Sequence, residues 1–96
     1  MTEALELVMA PIRGVTAAAY RTTFARHFGG IDRAVAPFVP TTRGDPARPG
    51  LLADLRPERN QALPVIPQII GRHPDQLAAL IEALHDMGHD DVDWNL

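Results

Sequence analysis

The alternation of short strand-like runs with longer helix-like stretches is the feature that most limits what this chain can fold into. Leu5 to Ala10 is a nearly continuous apolar run, as expected of a strand buried on both faces of a parallel sheet. It stops at Pro11, Gly14 supplies a turn, and Thr16 stands where an N-cap belongs. Ala17 to Phe28 favours helix, with Tyr20, Phe24 and Phe28 at four-residue spacing on one face, and Gly29-Gly30 ends it. Arg33 to Val39 reads as a second strand. Pro64 to Gly71 reads as a third, although Pro67 inside it cannot donate to a ladder. Pro74 to Met87 is the clearest helix, with Leu77, Leu80, Ile81, Leu84 and Met87 on one face, Pro74 in its first turn and Gly88 at its C-terminal end. Asp91 to Leu96 begins a fourth strand.

Between the second and third strands the pattern fails. Residues 40–62 form a long loop rich in proline and polar residues, with one turn of helix expected near Leu51 to Leu55. The order is therefore β-α-β-loop-β-α-β, which implies an α/β fold with a parallel sheet and right-handed crossovers. Local pattern leaves two architectures open, a doubly wound sheet or part of an eight-stranded barrel. The 96 residues suit a single domain, and 46% hydrophobic content is that of a globular chain.

Composition removes several function classes. No apolar run approaches the roughly 20 residues of a spanning helix, so no membrane role is expected. The N-terminus lacks a basic region and carries Glu3 and Glu6, so no signal peptide is expected. The absence of cysteine leaves no disulfide framework or thiolate metal site, in keeping with a cytoplasmic protein. All nine basic residues are Arg, but a net charge of −3 does not favour a strong sequence-independent grip on nucleic acid.

In parallel α/β folds the site is built where the strands end. Arg13, Gln68 and Asn95 stand at such ends, and the two carboxamides offer a donor and an acceptor each, which suits the edge of a flavin or a nucleobase. Other groups are weaker candidates. His85 and His89 are four apart, but Gly88 falls between them and no Glu follows the zinc-protease pattern, so no metal is expected. His73, after the third strand, is a candidate phosphate or substrate contact. Arg21 reads as a surface ion-pair residue on its helix.

Met9-Ala10-Pro11-Ile12-Arg13-Gly14-Val15-Thr16, with Tyr20-Arg21 and Phe28-Gly29 after it, resembles the opening of tRNA-dihydrouridine synthases. Pro67-Gln68-Ile69-Ile70-Gly71 is similar to that family's third-strand motif, and Asp93-Trp94-Asn95-Leu96 to the start of its Asp-x-Asn-Leu-Gly-Cys-Pro signature. The resemblance implies the first three to four strands of a TIM-type (β/α)8 barrel, a partial barrel spanning residues 1–96. It implies an FMN-dependent oxidoreductase that reduces the C5=C6 bond of uridine in tRNA with electrons from NADPH. Pro11, Ile12, Arg13, Gln68 and Asn95 would be the cofactor-binding residues, with Gln68 on the pyrimidine edge of the flavin. The family's catalytic cysteine would fall beyond Leu96, so no catalytic residue is assigned here. Such a partial barrel is expected to bind FMN weakly or not at all by itself and to self-associate. Ile12 stands for the family's Met, and Ala36-Pro37-Phe38-Val39 replaces a segment that carries a Glu in many members. Two alternatives remain: a different FMN-barrel reductase acting on a free pyrimidine, and a small flavin-free α/β binding module.

Overall fold

A computed structural model describes residues 5–48 and 50–96, so the N-terminal tetrapeptide and Pro49 lie outside the described residues. The elements in chain order are β1 (Val8–Met9), α1 (Ala18–His27), β2 (Arg33–Val35), β3 (Val39–Pro40), β4 (Val65–Ile66), β5 (Gln68–Ile70), α2 (Pro74–Met87) and β6 (Asp93–Asn95). Short 3-10 turns occupy Ala53–Leu55 and Pro57–Arg59, the first of them where the sequence signals one turn of helix.

Every strand pair is parallel. One ladder runs β1-β2-β4 and a second runs β3-β5-β6. The two ladders are the lower and upper halves of one layer. β2 and β3 belong to one extended segment broken at Ala36–Phe38, and β4 and β5 to another broken at Pro67. Ala36 N–H donates to the Ile66 carbonyl (3.0 Å) where the first ladder ends, and Thr41 N–H donates to the Ile70 carbonyl (2.9 Å) where the second ends. The Pro67 carbonyl accepts the Asp93 N–H at 2.8 Å. The N–H that proline lacks would lie on that same side, before β6 begins, so the ring costs the ladder little.

The layer thus has four strand positions, and they lie side by side in sequence order. Right-handed crossovers that all step the same way across a sheet place their helices on one face. The core lies on that face. Ala36, Val39 and Ile69 from the strands meet Leu80 and Leu84 of α2, and the long loop adds Leu52 and Leu55. Side chains alternate along a strand, so Val35, Ile66, Gln68, Ile70, Asp93 and Asn95 belong to the opposite, helix-free face. On that face Arg33 bonds Glu6 at 2.5 Å and comes within 3.9 Å of Asp91, reaching past the intervening strand.

Helix α2 begins at Pro74 and ends at Gly88, whose φ of 113° is the left-handed conformation expected of a glycine cap. His89 N–H then reaches the Leu84 carbonyl at 3.0 Å, closing the last turn. Its apolar face is narrower than the sequence suggests: Leu80 and Leu84 are fully buried, whereas Ile81 is 42% exposed.

Three expectations need correction. Leu5 to Ala10 is not a strand buried on both faces: only Val8–Met9 pairs, and Leu5, Leu7 and Val8 are exposed, because β1 is an edge strand on an uncovered face. Thr16 does not cap α1. Its hydroxyl turns back to accept the Ile12 N–H at 2.8 Å, and the cap comes instead from Asp54, whose carboxylate accepts the Ala18 N–H at 2.7 Å. Arg21 is not on the surface either. It is 1% exposed and ion-paired to that same Asp54.

Candidate functional site at the strand ends

The first part of the site is the turn that follows β1. Ile12 O accepts the N–H groups of Val15 (2.9 Å) and Thr16 (3.0 Å), while the Thr16 hydroxyl holds Ile12 N–H. Gly14, at φ 80°, supplies the left-handed step that this tight reversal needs. The turn is then anchored from behind. One Arg21 Nη donates to the Thr16 carbonyl at 2.7 Å and to Asp54 at 2.8 Å. The other donates to the Asp54 carbonyl (3.0 Å) and to Asn60 (2.8 Å). Both Nη groups of this buried guanidinium are thus spent on fixing position, while its Nε is buried without a partner among the described residues.

Held this way, the turn presents Ile12 and Arg13 outward, with Pro11 half-buried beside them. The Arg13 guanidinium lies 4.7 Å from the centre of the Phe38 ring, so the segments after β1 and β2 touch through a cation–π contact. Phe38 is not among the residues expected to bind cofactor, yet it gives Arg13 its place.

The second part lies across β5 and β6. Gln68 stands opposite Asp93 in the ladder and Ile70 opposite Asn95. The Gln68 Nε2 donates to the Asp93 carboxylate at 2.7 Å. That bond fixes which way the carboxamide points and leaves its oxygen as an acceptor. Asn95 makes no side-chain hydrogen bond among the described residues, so its amide is uncommitted. Above it, an open pocket of about 510 Å³ is lined by Ile70, Gly71, Arg72, Trp94, Asn95 and Leu96. The Trp94 indole N–H reaches the Gly71 carbonyl at 3.4 Å and forms one wall.

The structure therefore brings Gln68 and Asn95 onto one face and one pair of strands. It holds Pro11, Ile12 and Arg13 in one turn at the end of β1. No hydrogen bond or ion pair among the described residues joins these two groups. A larger cavity, about 580 Å³, lies elsewhere, against the start of α1 and the 3-10 turns, where Arg26, Arg59, Thr22 and Gln61 contribute to its wall. It contains none of the five expected residues.

The remaining candidates take ordinary positions. His73 is the residue before α2, exposed and without a capping bond from its side chain. His89 lies with Nε2 2.7 Å from the Leu55 carbonyl, tying the end of α2 to the long loop, and His85 stays exposed in the last turn. Among the described residues no three His, Cys, Asp or Glu side chains gather as a metal site would require. Nor is any described helix long and apolar enough to cross a membrane. Sequence reasoning missed Asp54 and Asn60, the partners of Arg21. The one available signal was an acid inside the otherwise apolar segment Leu51–Leu55. The chain matches no protein-family model, and no curated protein matches it at a significant level.

Proposed function

We propose that this chain forms part of an FMN-binding parallel (β/α)8 barrel of the tRNA-dihydrouridine synthase type, an oxidoreductase acting on uridine in tRNA. The observation that carries the barrel part is the strand order. The two parallel ladders, β1-β2-β4 and β3-β5-β6, each step in sequence order, without the reversal that marks a doubly wound sheet. The face without helices, which a barrel turns inward, carries Gln68, Asp93 and Asn95.

The residues present fit the cofactor's polar edge. Flavin offers alternating carbonyl oxygens and N–H groups there, and the Gln68 oxygen and the uncommitted Asn95 amide supply an acceptor and a donor within one strand pair. Bound FMN would supply the hydride, with NADPH as its source of electrons. The chain's own residues position it. Ile12 offers an apolar contact for a ring, Arg13 a cation held in place by Phe38, and Asp93 keeps Gln68 from rotating. With no cysteine in the sequence, these residues explain orientation and leave protonation of the uracil ring to other groups.

Titration of FMN fluorescence with the chain tests this. Weak but saturable quenching is expected, reduced about tenfold or more by Gln68→Leu, which removes a polar contact worth on the order of 1.5 kcal/mol. Absence of quenching at millimolar protein, together with cooperative thermal unfolding, would favour a flavin-free binding module.

A further inference from the structure

The larger cavity, of about 580 Å³, contains none of the five residues assigned to the flavin. Its lining lies between residues 17 and 26, on α1 and its approach, and between residues 54 and 62 of the long loop. The volume falls within the roughly 300–1,000 Å³ of small-molecule sites. Small apolar side chains, Ala17, Ala18, Ala19 and Ala62, make up much of the lining, and Gln61 adds a donor and an acceptor. The two walls are tied together, because the Thr22 hydroxyl donates to the Arg59 carbonyl at 3.4 Å. Thr22 and Arg26, four residues apart, are neighbours on one face of α1. Arg26 and Arg59 therefore enter the cavity from backbone positions about one helical turn, roughly 5 Å, apart.

Charge decides the kind of ligand. Two acids line the cavity, but each has a cation of its own. Asp54 is ion-paired to Arg21 at 2.8 Å, and the Glu58 carboxylate lies 3.9 Å from Arg56. Arg26 and Arg59 take part in no ion pair among the described residues. The cavity thus holds two unneutralised guanidinium groups near one another, in a chain whose net charge is −3. Like charges held close repel, and an anion between them relieves the repulsion. The Ala18 N–H at the start of α1 is already taken by Asp54, so recognition falls to the side chains.

From this we infer that the cavity between α1 and the long loop binds a nucleoside diphosphate, with Arg26 and Arg59 each taking one phosphate. The planar guanidinium fork matches phosphate oxygens in pairs, which a carboxamide or hydroxyl cannot do with a full charge. A single phosphate meets one fork and leaves the other unpaired, so the second phosphate is what the pair of arginines selects. The Thr23 hydroxyl, on the same wall, supplies a further donor. The alanine lining leaves an apolar bed for the flat base, and Gln61 stands ready for its polar edge. The enclosing walls favour a small molecule over a nucleic-acid strand, whose grip comes from a longer run of phosphate contacts. The inference does not depend on the flavin reading.

Calorimetric titration of the chain with ADP, AMP and inorganic phosphate tests it, alongside the variants Arg26→Gln, Arg59→Gln and Arg43→Gln. One-to-one binding of ADP is expected, about tenfold or more tighter than AMP or phosphate, because the second fork adds a charge-assisted contact. Arg26→Gln and Arg59→Gln should each weaken ADP binding about tenfold and bring it level with AMP. Arg43 carries the same charge on an exposed position outside the cavity, so Arg43→Gln should leave the ADP affinity unchanged. Arg26 and Arg59 are exposed as well, and helical circular dichroism should be retained in both variants. Should either unfold, the Gln61 side-chain amide signal of the unmodified chain decides: it should move on addition of ADP and saturate, and a signal that stays in place contradicts the site. Absence of ADP binding at millimolar concentration, equal affinities for ADP and AMP, or an equal loss in Arg43→Gln would overturn the proposal. So would tighter binding of a short oligouridylate than of ADP. Gln68→Leu, which weakens FMN binding, should leave ADP binding intact, so the loss of one site is told apart from the loss of the other.

Discussion

Arg21 and Asp54 meet at 2.8 Å across 33 residues of sequence, and through that pair the long loop holds the start of α1. The two partners are not equivalent: the Arg21 side chain is 1% exposed and that of Asp54 38%.

This asymmetry predicts unequal costs. Asp54→Ala leaves a buried guanidinium without its charge partner and uncaps Ala18, so a loss of about 3–5 kcal/mol is expected. Arg21→Met fills much of the same space and leaves Asp54 partly solvated, so its cost should be smaller, about 1–3 kcal/mol. Urea unfolding of both variants checks the order. Equal or reversed costs would show that the network is not what anchors the turn.

A second close approach lies at the top of β5. A Cβ added at Gly71 would overlap the Thr41 side chain and stand 3.0 Å from the Thr41 Cβ. Overpacking of this kind costs roughly 1–3 kcal/mol. Gly71→Ala should therefore lower the thermal midpoint, and Thr41→Gly in the same chain should recover part of the loss relative to Thr41→Gly alone. Simple additivity of the two changes would count against the contact.

Helix α2 offers a test of which face is buried. Leu80→Ala or Leu84→Ala should cost about 2–5 kcal/mol, since each leaves a cavity beside Ile69. Ile81→Ala, at a position 42% exposed, should cost well under 1.5 kcal/mol. Chemical denaturation of the three variants checks this, and a cost at Ile81 matching that at Leu80 would contradict the packing.

What was legible in the sequence was local. Helix α2 runs from Pro74 to Met87 as its pattern says, because proline starts it and Gly88 stops it within the same short stretch. Gly14, Gly29 and Gly30 all take the positive φ that turns and helix ends demand. What was not legible depends on distant partners. Nothing near Arg21 announces that an acid 33 residues away will bury it, and nothing near Thr16 says that Asp54 will cap the helix in its place. Leu5 to Ala10 reads as a buried strand because composition cannot show which face of a sheet will be covered, and Leu5, Leu7 and Val8 are in fact exposed. For the candidate site, the sequence placed the five residues at strand ends, but Gln68 opens β5 instead of closing it, because Pro67 breaks the segment just before it. The Gln68–Asp93 bond and the Arg13–Phe38 contact, which orient two of them, emerge only from strand register and the folding of the turns.

In the proposed function Gln68 and Asn95 form the polar edge of a flavin site. The direct measurement follows the side-chain amide resonances of the nitrogen-labelled chain during FMN titration, with Gln68→Leu and Asn95→Leu identifying the two signals. The Gln68 and Asn95 signals are expected to move together and saturate at one FMN concentration, while the Gln61 and Asn60 signals near α1 stay in place. Movement of the Gln61 signal with Gln68 and Asn95 unmoved would place any flavin in the other cavity and contradict the proposed function.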